Sequence, residues 1–422
     1  MNIIVSPFSA YGEIAVPTSK SEAHRMLICA ALSDRETRID RLPKCDDVTA
    51  TVQVLEAIGA KITCENGDTL VQPIREVHKN AVLNCRESGS TLRFLLPIMW
   101  ALGGGTLDGA ESLKKRPLTD LMNAMKQHGA VFSGDVLPFS VGGTASGGLF
   151  TLSGQVSSQF VSGLLLAAPL LHDNVEIRLT GALESASYVR LTRRVMAEFG
   201  VETEKTENGF FVRSGQAYQS PRQIAVSGDW SGASFLLALG ALGGEVRLTG
   251  LSADSEHADK KIMDFLRQMG AEVSADTHSV CAKNAGRLHG ITADVSQAPD
   301  LAPVLGALMA HAEGTSCLTG IRRLRFKESN RAQGIVRMVR ALGAEAEEQE
   351  DRLIIHGQSN LRGGTVDGQN DHRLVMAACV AASACRQPCM VLDAQAVQKS
   401  YPHFFDDFQA LGGKIHGIVL RT

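Results

Sequence analysis

The stretch VLEAIGAKI at residues 54–62 recurs, with variations, five more times along the chain. Each copy resembles the end of a helix closed by a glycine, and the closing glycines are separated by 70, 71, 70, 73 and 69 residues. A period this regular over 422 residues predicts six copies of one structural unit. The closing glycines are Gly59, Gly129, Gly200, Gly270, Gly343 and Gly412.

The length of the chain predicts two domains, because 422 residues exceed what one hydrophobic core usually organises. Six units divide naturally into three plus three, and the passage QIAVSGDWSGAS at residues 223–234 lies where the third unit gives way to the fourth. We expect residues 18–227 to form one domain and residues 1–17 with 228–422 to form the other. The N-terminal strand within residues 1–17 is expected to pair with the last hairpin.

Each repeat shows the same order of patterns, which predicts a β-α-β-α-β-β unit. The first helix is apolar on every side, as expected of a buried helix, whereas the second has one polar face. The closing glycine is predicted to cap the second helix, because glycine adopts a positive φ without a Cβ clash. Hairpins are predicted at ENGD (65–68), ENG (207–209) and EQED (348–351). The first helices begin near Ser21, Ser90, Ser158, Ser231, Asp300 and Asp371.

These units predict an α/β fold of two similar domains, each with three buried helices packed together and sheets outside. We expect the two domains to face each other across a cleft that holds the active site. The content of 44% hydrophobic and 21% charged residues is typical of a globular protein, and the net charge of −3 argues against a nucleic-acid partner.

The compartment is predicted from the cysteines and the N-terminus. The nine cysteines are scattered without zinc-site spacing, which favours reduced thiols in a cytoplasmic protein. The N-terminus does not resemble a signal peptide, and the longest apolar runs are too short to span a bilayer. We therefore expect a cytoplasmic protein without a membrane partner.

The starts of the buried helices are polar, and several of them go beyond what helix capping requires. A helix N-terminus attracts anions, although a single Ser or Asp there is more often an ordinary N-cap. Lys20 and Arg25 flank Ser21, and Ser21 and Arg25 share one helix face. Three hydrogen-bonding side chains in a row, Ser157, Ser158 and Gln159, precede another apolar helix. Both groups favour a phosphate or carboxylate ligand.

Further cations and a few acids recur at junctions between loops and helices. The carboxylates nearest to them in the repeat are Asp300 and Glu328. Many cations with a few acids indicate doubly anionic substrates and a proton transfer. The cations are Arg116 in KKRPL, Lys327 and Arg331 in FKESNR, Arg373 in NDHR, and Lys399 in QKSYP.

Seven stretches together resemble the enolpyruvyl transferase family, in the branch that acts on shikimate 3-phosphate. Each stretch is a weak signal by itself, but all seven occur in the order and spacing of the family between residues 17 and 405. The matching stretches are PTSKSEAHR, ESGSTLR, KKRPLTDL, SSQFVSGLL, FKESNR, NDHR and QKSYPHFF.

The resemblance implies transfer of the enolpyruvyl group of phosphoenolpyruvate to the 5-hydroxyl of shikimate 3-phosphate, with release of phosphate. The reaction would proceed by addition and elimination through a tetrahedral intermediate. The resemblance implies no metal and no organic cofactor. The expected partners are these two small molecules, and the chain is expected to act as a monomer.

The resemblance also implies roles for individual residues. Asp300 would accept the proton of the 5-hydroxyl, and Glu328 and Lys20 are the candidates to handle the proton at C3. For Tyr188 and His372, a purely structural role remains an equal alternative. The residues implied to hold shikimate 3-phosphate are Lys20, Ser21, Arg25, Ser157, Ser158, Gln159, Ser185, Tyr188, Asp300 and Lys327. Those implied to hold phosphoenolpyruvate are Lys20, Gly89, Arg116, Gln159, Arg331, His372, Arg373 and Lys399.

The chain departs from the family pattern at Glu87, Phe94, Arg323 and Asn330, which puts fine substrate contacts in question. Gly89 is retained, which is consistent with sensitivity to the inhibitor glyphosate. The sequence leaves two alternatives. A sister enzyme acts on UDP-N-acetylglucosamine, but most of its members carry a reactive Cys in a loop, and residues 101–120 contain none. An inactive anion-binding scaffold would be expected to have lost at least one of the catalytic residues.

Overall fold

The structure, a computed structural model, describes residues 1–65, 67–79, 81–155, 157–252 and 255–419. The chain divides into two compact units. The first unit is Thr18–Val226, and the second unit combines Met1–Pro17 with Ser227–Thr422. The sequence-based boundary at 227/228 differs from this division by one residue.

The helices alternate with strands along the whole chain. Short 3-10 turns cover Ala168–Leu170, Ala258–Lys261, Pro299–Leu301, Arg322–Phe326 and Ala394–Lys399. The α-helices are α1 (Lys20–Ala31), α2 (Asp46–Ile58), α3 (Gly89–Ala101), α4 (Glu111–Lys114), α5 (Thr119–Lys126), α6 (Ser158–Ala167), α7 (Ala186–Glu198), α8 (Trp230–Gly243), α9 (Ile262–Gln268), α10 (Ala302–His311), α11 (Arg331–Leu342), α12 (His372–Ser383) and α13 (Phe404–Ala410).

The strands are short, with two to six residues each. They are β1 (Asn2–Ser6), β2 (Ala10–Ala15), β3 (Thr37–Asp40), β4 (Lys61–Glu65), β5 (Asp68–Gln72), β6 (Val82–Asn84), β7 (Gly105–Asp108), β8 (Ala130–Phe132), β9 (Phe139–Gly143), β10 (Gly148–Ser153), β11 (Val175–Thr180), β12 (Glu204–Thr206), β13 (Gly209–Val212), β14 (Gln223–Ala225), β15 (Gly244–Thr249), β16 (Glu272–Ala275), β17 (Ser279–Lys283), β18 (Thr292–Asp294), β19 (Gly314–Thr319), β20 (Glu345–Glu348), β21 (Arg352–Gly357), β22 (Thr365–Val366), β23 (Cys389–Val391) and β24 (Lys414–Val419).

Every unit contains three four-stranded sheets of one pattern, a parallel pair followed by two antiparallel neighbours. In the first unit the strand orders are β14-β3-β5-β4, β6-β7-β9-β8 and β10-β11-β13-β12. In the second unit they are β16-β17-β15-β2, β18-β19-β21-β20 and β22-β23-β1-β24. In four of the six sheets a buried helix joins the two parallel strands, as α3 joins β6 to β7. The parallel pairs β14 with β3 and β2 with β15 are instead formed by strands far apart in the chain. The predicted mixed α/β repeat is confirmed.

Three sheets are completed by strands distant in sequence. The strand β14 pairs in parallel with β3 and so closes the first sheet of the first unit. The strand β1 pairs with both β23 and β24, as predicted for the N-terminus. The prediction of a single N-terminal strand is wrong, because β2 joins a different sheet and pairs in parallel with β15. Alternation shows that a segment is a strand but does not identify its neighbour.

The six closing glycines all have positive φ, between 77° and 128°. Gly59 and Gly343 stand directly after α2 and α11, as predicted. The other four follow two or three residues beyond their helices, because an intervening residue with helical or near-helical φ precedes them. The three predicted hairpins form between β4 and β5, β12 and β13, and β20 and β21. Asn66 of the first turn lies outside the described residues.

The first helix of each repeat is buried over nearly its full length, as its apolar sequence predicts. The second helices, such as α7 and α11, bury one face and expose the other. Five buried helices receive a side-chain N-cap, from Ser19, Ser88, Ser157, Asp229 and Asp371. Asp300 instead lies in a 3-10 turn that precedes α10, so it does not itself begin the α-helix.

Candidate functional site

Lys20 is the first residue of α1, and its ammonium group is held in place by a carboxylate. Its Nζ lies 2.7 Å from Oδ2 of Asp47, the second residue of α2. Both side chains are 13% exposed, so the pair is largely shielded from water without being sealed off. The N-cap Ser19 accepts a hydrogen bond from the backbone N–H of Glu22 at 3.3 Å and fixes the start of α1.

Arg25 is buried between α1 and α7 by partners that carry no charge. Its Nε donates to Thr192 Oγ1 at 2.7 Å, and its Nη atoms donate to the carbonyls of Ser21 at 2.5 Å and Tyr188 at 3.1 Å. The guanidinium also lies 4.7 Å from the ring centroid of Phe94. Burial lowers the pKa of Arg25 to about 10. The structure therefore brings Arg25 into contact with the backbone of Ser21 and of Tyr188.

Gln159 is held by two residues of α3. Arg93 Nη1 donates to Gln159 Oε1 at 2.6 Å, and Gln159 Nε2 donates to Ser90 Oγ at 2.9 Å. The guanidinium of Arg93 also lies 5.6 Å from the ring centroid of Phe160. Sequence reasoning missed Arg93 as a functional candidate. Its position within an otherwise apolar, buried helix was the available signal, because an arginine there needs polar partners.

The start of α3 leaves room for an arginine only because residue 89 is a glycine. A Cβ added at Gly89 would lie 2.5 Å from Nη1 of Arg116 and 3.4 Å from Nη1 of Arg93. These distances place both guanidinium groups against the N-terminus of α3. Two cations at a helix N-terminus form a strongly electropositive position.

The predicted serines occupy the starts of α6 and α7. Ser157 caps α6 and accepts a hydrogen bond from the backbone N–H of Gln159 at 3.3 Å, and Ser158 is 3% exposed. Ser185 precedes α7 with φ 54° and ψ 40°, a left-handed conformation that is uncommon for a residue with a Cβ. Such backbone strain is often found at binding sites. Tyr188 is half-buried and contributes its carbonyl group to Arg25.

In the second unit, Asp300 is surrounded by cations from three different elements. Its Oδ1 lies 2.8 Å from Arg331 Nη1 and 3.5 Å from Lys327 Nζ, and its Oδ2 lies 2.9 Å from Arg373 Nη2. Burial alone would raise the pKa of Asp300, but these cations outweigh it and hold the pKa well below its usual range. Burial lowers the pKa of Lys327 more than Asp300 raises it.

Arg331 joins three carboxylates and is itself 1% exposed. Besides Asp300, it bonds Glu328 Oε2 at 2.5 Å and Asp371 Oδ2 at 2.8 Å. Burial opposes its charge, but the carboxylates of Asp371, Glu328 and Asp300 raise its pKa above the usual value. A side chain with five fixed donors is suited to hold several acids in one arrangement.

The start of α12 places the remaining predicted residues. Asp371 is fully buried and caps this helix through the backbone N–H of Arg373 at 2.9 Å, so the capping carboxylate also binds Arg331. His372 is 1% exposed. Lys399 Nζ donates to the carbonyl of Asn370 at 2.6 Å. The sequence analysis took Asp371 only as the start of a helix, because capping alone explains an acid there, and it did not single out Asp47.

One departure from the family pattern has a plain structural explanation. Asn330 caps α11, with its Oδ1 accepting from the backbone N–H of Gln333 at 3.3 Å. Asn and Asp are about equally good N-caps, so an Asn at this position preserves the helix start. Arg323, in the 3-10 turn before Lys327, contributes to lowering the pKa of that lysine.

Comparison with known proteins identifies the family. The sequence matches the family described as EPSP synthase (3-phosphoshikimate 1-carboxyvinyltransferase) over residues 7–408, so the chain belongs to the EPSP synthase family. Members of this family are enzymes, and the predicted enolpyruvyl transfer of the shikimate pathway is confirmed as the activity of the family.

Relatives of this name match the chain from end to end. The 3-phosphoshikimate 1-carboxyvinyltransferase of Clostridium kluyveri is 38% identical, with 98% of each chain covered. That of Methanocorpusculum labreanum is 38% identical, with 98% of this chain and 99% of the relative covered. These identities extend over both units.

Solved structures share the fold. EPSP synthase from Acinetobacter baumannii has a TM-score of 0.83 at 24% identity, covering 99% of this chain and 100% of its own. The enolpyruvyl transferase NikO from Streptomyces tendae has a TM-score of 0.80 at 17% identity, with 98% of each chain covered. Within the described part of the chain, no helix is long and apolar enough to cross a membrane.

Proposed function

We propose that the two groups of residues described above carry out the family reaction, in which phosphoenolpyruvate and shikimate 3-phosphate give the enolpyruvyl ether and inorganic phosphate. The observation that carries the assignment of roles is the arrangement around Asp300, a carboxylate that is 15% exposed and has three cations within 3.5 Å. Such a group supplies both a proton acceptor and positive charge for anionic reactants.

The first unit contributes a binding surface for shikimate 3-phosphate in this proposal. Within the described residues, the hydrogen-bond partners of Arg25 are neutral, so its charge is available to a phosphate that approaches its guanidinium group. Lys20, Ser21, Ser157, Ser158, Gln159, Ser185 and Tyr188 add donors and acceptors for the phosphate and the hydroxyl groups. In the second unit, Lys327 and Asp300 complete the set.

Phosphoenolpyruvate carries a phosphate and a carboxylate, both of which arginine can bind through two parallel hydrogen bonds. We assign this binding to Arg116 next to Gly89, with Lys20 and Gln159, in the first unit. In the second unit we assign it to Arg331, Arg373, His372 and Lys399. The contact distance between Arg116 and Gly89 supports the first assignment, because it leaves the guanidinium close to a helix N-terminus.

The proposed chemistry has two steps. Asp300 takes the proton from the 5-hydroxyl as that oxygen forms a bond to C2 of phosphoenolpyruvate, while an acid delivers a proton to C3. In the second step, the bond between C2 and the bridging phosphate oxygen of the tetrahedral intermediate breaks, and phosphate leaves. A proton leaves C3 and restores the double bond. Glu328 and Lys20 are the proposed groups for the proton at C3.

The cations that lower the pKa of Asp300 also explain how it becomes a base. In the substrate-free protein they make the carboxylate a weak acceptor. Bound phosphate and carboxylate groups add negative charge next to Arg331 and Arg373, which opposes the field of these cations and raises the pKa of Asp300. The binding of anionic substrates thereby activates the base.

The test is phosphate release in metal-free buffer with both substrates, for the unchanged protein, Asp300→Ala and Asp300→Asn. Release should require both substrates and fall by at least about a thousandfold in both variants, since a general base and a charge are lost together. Asp294→Asn, an exposed aspartate six residues earlier, serves as the charge-matched control and should retain activity. No release from the unchanged protein would refute the proposed reaction, and UDP-N-acetylglucosamine would then be tried as acceptor.

We also propose a cytoplasmic monomer. All nine cysteines are free thiols, which is consistent with a reducing compartment. Sedimentation velocity at micromolar concentration is expected to give one species near 45.1 kDa. A species of twice that mass would contradict the proposed monomer.

A further inference from the structure

A buried network of four polar side chains crosses the first unit and takes no part in the proposed reaction. His24 Nδ1 lies 2.7 Å from Thr51 Oγ1, and Thr51 Oγ1 lies 2.7 Å from Thr91 Oγ1. Thr91 Oγ1 donates to Ser88 Oγ, also at 2.7 Å. All four side chains are fully buried. These are the distances of good hydrogen bonds, and a buried polar network of this kind specifies one arrangement of the helices that it joins.

The hydrogen bonds of the buried network run in one direction. Thr91 uses its hydroxyl proton on Ser88, so Thr91 accepts from Thr51. Thr51 then uses its own proton on Thr91, so it accepts from Nδ1 of His24. The carbonyl oxygen of Asp47 also lies 3.5 Å from each threonine hydroxyl, a distance too long to compete with bonds of 2.7 Å.

This direction determines the tautomer of His24. Burial and the neighbouring cations lower the pKa of His24 well below its usual value, so the ring is neutral and carries one proton. That proton is on Nδ1, because Thr51 accepts it. Within the described residues Nε2 has no hydrogen-bond partner, so the tautomer is set by the buried network alone.

The bond between His24 and Thr51 is the second of two cross-links between α1 and α2. The first is the ion pair of Lys20 Nζ with Asp47 Oδ2, also at 2.7 Å. His24 follows Lys20 by four residues and Thr51 follows Asp47 by four, so each pair shares one face of its helix. The buried hydrogen bond therefore lies one helical turn beyond the ion pair and fixes the spacing of the two helices.

The other end of the buried network fixes the start of α3. Ser88 is the N-cap of α3 and accepts from the backbone N–H of Thr91 at 3.2 Å as well as from its hydroxyl. Gly89 follows Ser88 directly, and a Cβ at Gly89 would lie 2.5 Å from Nη1 of Arg116. The buried network thus connects the helix start beside Arg116 with the two helices that hold Lys20.

We propose that His24, Thr51 and Thr91 are positioning residues for phosphoenolpyruvate. They hold the ammonium group of Lys20 and the start of α3 at Gly89 at the spacing that this substrate requires, and they do not bind it themselves. The inference rests on the proposed function, in which Lys20 and Gly89 lie against phosphoenolpyruvate. Misplacing a binding group by about 1 Å can cost about a hundredfold in rate, so the loss of one cross-link has a measurable effect.

The first test is the steady-state kinetics of Thr51→Val, which removes the central hydroxyl but keeps the shape of the side chain, and of Thr51→Ser, which retains the hydroxyl. The KM for phosphoenolpyruvate should rise about tenfold in Thr51→Val and stay within about threefold in Thr51→Ser. The KM for shikimate 3-phosphate should change less than about threefold, because Arg25 is held by Thr192 of α7. Thr49→Val is the matched control and should change neither constant, since its hydroxyl donates to the carbonyl of Cys45, the N-cap of its own helix.

The second test asks whether the groups act together. Thr51→Val combined with Thr91→Val should raise the KM for phosphoenolpyruvate no more than the larger single change, because either change breaks the same network. Long-range 1H–15N NMR of the histidines, with His24→Asn to assign the signal, should show His24 as the Nδ1–H tautomer. This signal requires no turnover, so it tests the network even if Thr51→Val does not fold.

A lower free energy of unfolding in Thr51→Val with an unchanged KM for phosphoenolpyruvate would show that the network is only structural, and would overturn the inference. Equal rises in the KM of both substrates, multiplied effects in the double variant, or the Nε2–H tautomer at His24 would overturn it as well. Absence of phosphate release from the unchanged protein refutes the proposed function instead, and is seen before any variant is compared.

Discussion

Arg25 in the first unit and Arg331 in the second are both buried arginines that the sequence predicts as substrate ligands, yet their surroundings are opposite. Arg25 bonds a hydroxyl and two carbonyls, and burial lowers its pKa to about 10. Arg331 bonds three carboxylates, and these raise its pKa above the usual value. A cation with neutral partners retains charge for a ligand, whereas a cation among acids organises those acids.

This contrast separates the proposed tasks of the two units. In the first unit, Asp47 bonds Lys20, while Arg25 donates to Thr192 and Arg93 donates to Gln159, which are neutral. Such a surface favours anion binding. The second unit alternates acids and bases around Asp300, which favours proton transfer.

The largest expected effect is on stability, from Arg331→Met. Asp371, which is fully buried, would lose its cation, and breaking a buried ion pair from one side costs about 3–5 kcal/mol. Urea unfolding at neutral pH measures the loss. Arg337→Met, at an exposed position of the same helix, is the control and should change the free energy of unfolding by less than about 0.5 kcal/mol. Equal stability of both variants would contradict the organising role of Arg331.

Arg25→Met should show the opposite behaviour. The affinity for shikimate 3-phosphate should fall about a hundredfold, because a charge-assisted contact to phosphate is lost. The free energy of unfolding should change by no more than about 1 kcal/mol, since burial of an arginine without a carboxylate partner is already costly. Isothermal titration and urea unfolding provide the two readouts, with the exposed Arg35→Met as control. A large loss of stability with unchanged affinity would show that Arg25 is structural.

Gly89→Ala should raise the KM for phosphoenolpyruvate and leave the KM for shikimate 3-phosphate unchanged. The added Cβ would lie 2.5 Å from Arg116 Nη1, so the guanidinium must move. We expect the KM for phosphoenolpyruvate to rise about tenfold, which corresponds to about 1.4 kcal/mol. Inhibition by glyphosate, measured in competition with phosphoenolpyruvate, should weaken by a larger factor than the KM for phosphoenolpyruvate rises.

The matched control for this change is Gly142→Ala, since a Cβ at residue 142 has no heavy atom within 4 Å. If Gly89→Ala raises the KM of both substrates equally, the assignment of Arg116 to phosphoenolpyruvate is wrong.

The smallest expected effect is the pH dependence contributed by Asp300. Its pKa in the folded protein lies well below that of an unfolded aspartate, about 3.9. Its stabilising contribution is therefore complete above about pH 4 and is lost as the pH falls through the folded pKa. Between pH 5 and 3, the unchanged protein should lose stability more steeply than Asp300→Asn, by at most about 1.4 kcal/mol per pH unit. Denaturant unfolding at several pH values measures this difference. If the folded protein did not lower the pKa of Asp300, the free energy of unfolding would fall with pH at the same rate in both proteins.

Much of the repeat was predictable because its signals are local. Glycines such as Gly59 and Gly343 end their helices at positive φ, and apolar stretches such as residues 230–241 are buried. The pairing of β2 with β15 was not predictable, because the alternation of apolar and polar residues along a strand is the same whichever sheet the strand joins.

The residues of the candidate site likewise include some that the sequence predicts and some that it does not. Arg331 and Asp300 stood out by residue type and motif, and the structure places them 2.8 Å apart. Asp371 did not stand out, because an acid at a helix start is explained by capping. Its burial depends on contacts distant in sequence, such as that between Asp371 and Arg331.

The pairing of β1 with β23 and β24 has a consequence for synthesis on the ribosome. The first unit is one continuous segment, Thr18–Val226. Its last strand in sequence, β14, completes the sheet that contains β3. We expect this unit to fold while the rest of the chain is still being made, as domains generally do. The first strand to emerge must instead wait, unpaired, until its partners near the C-terminus have been synthesised. Strand β1 is thus synthesised early and is among the last strands to pair.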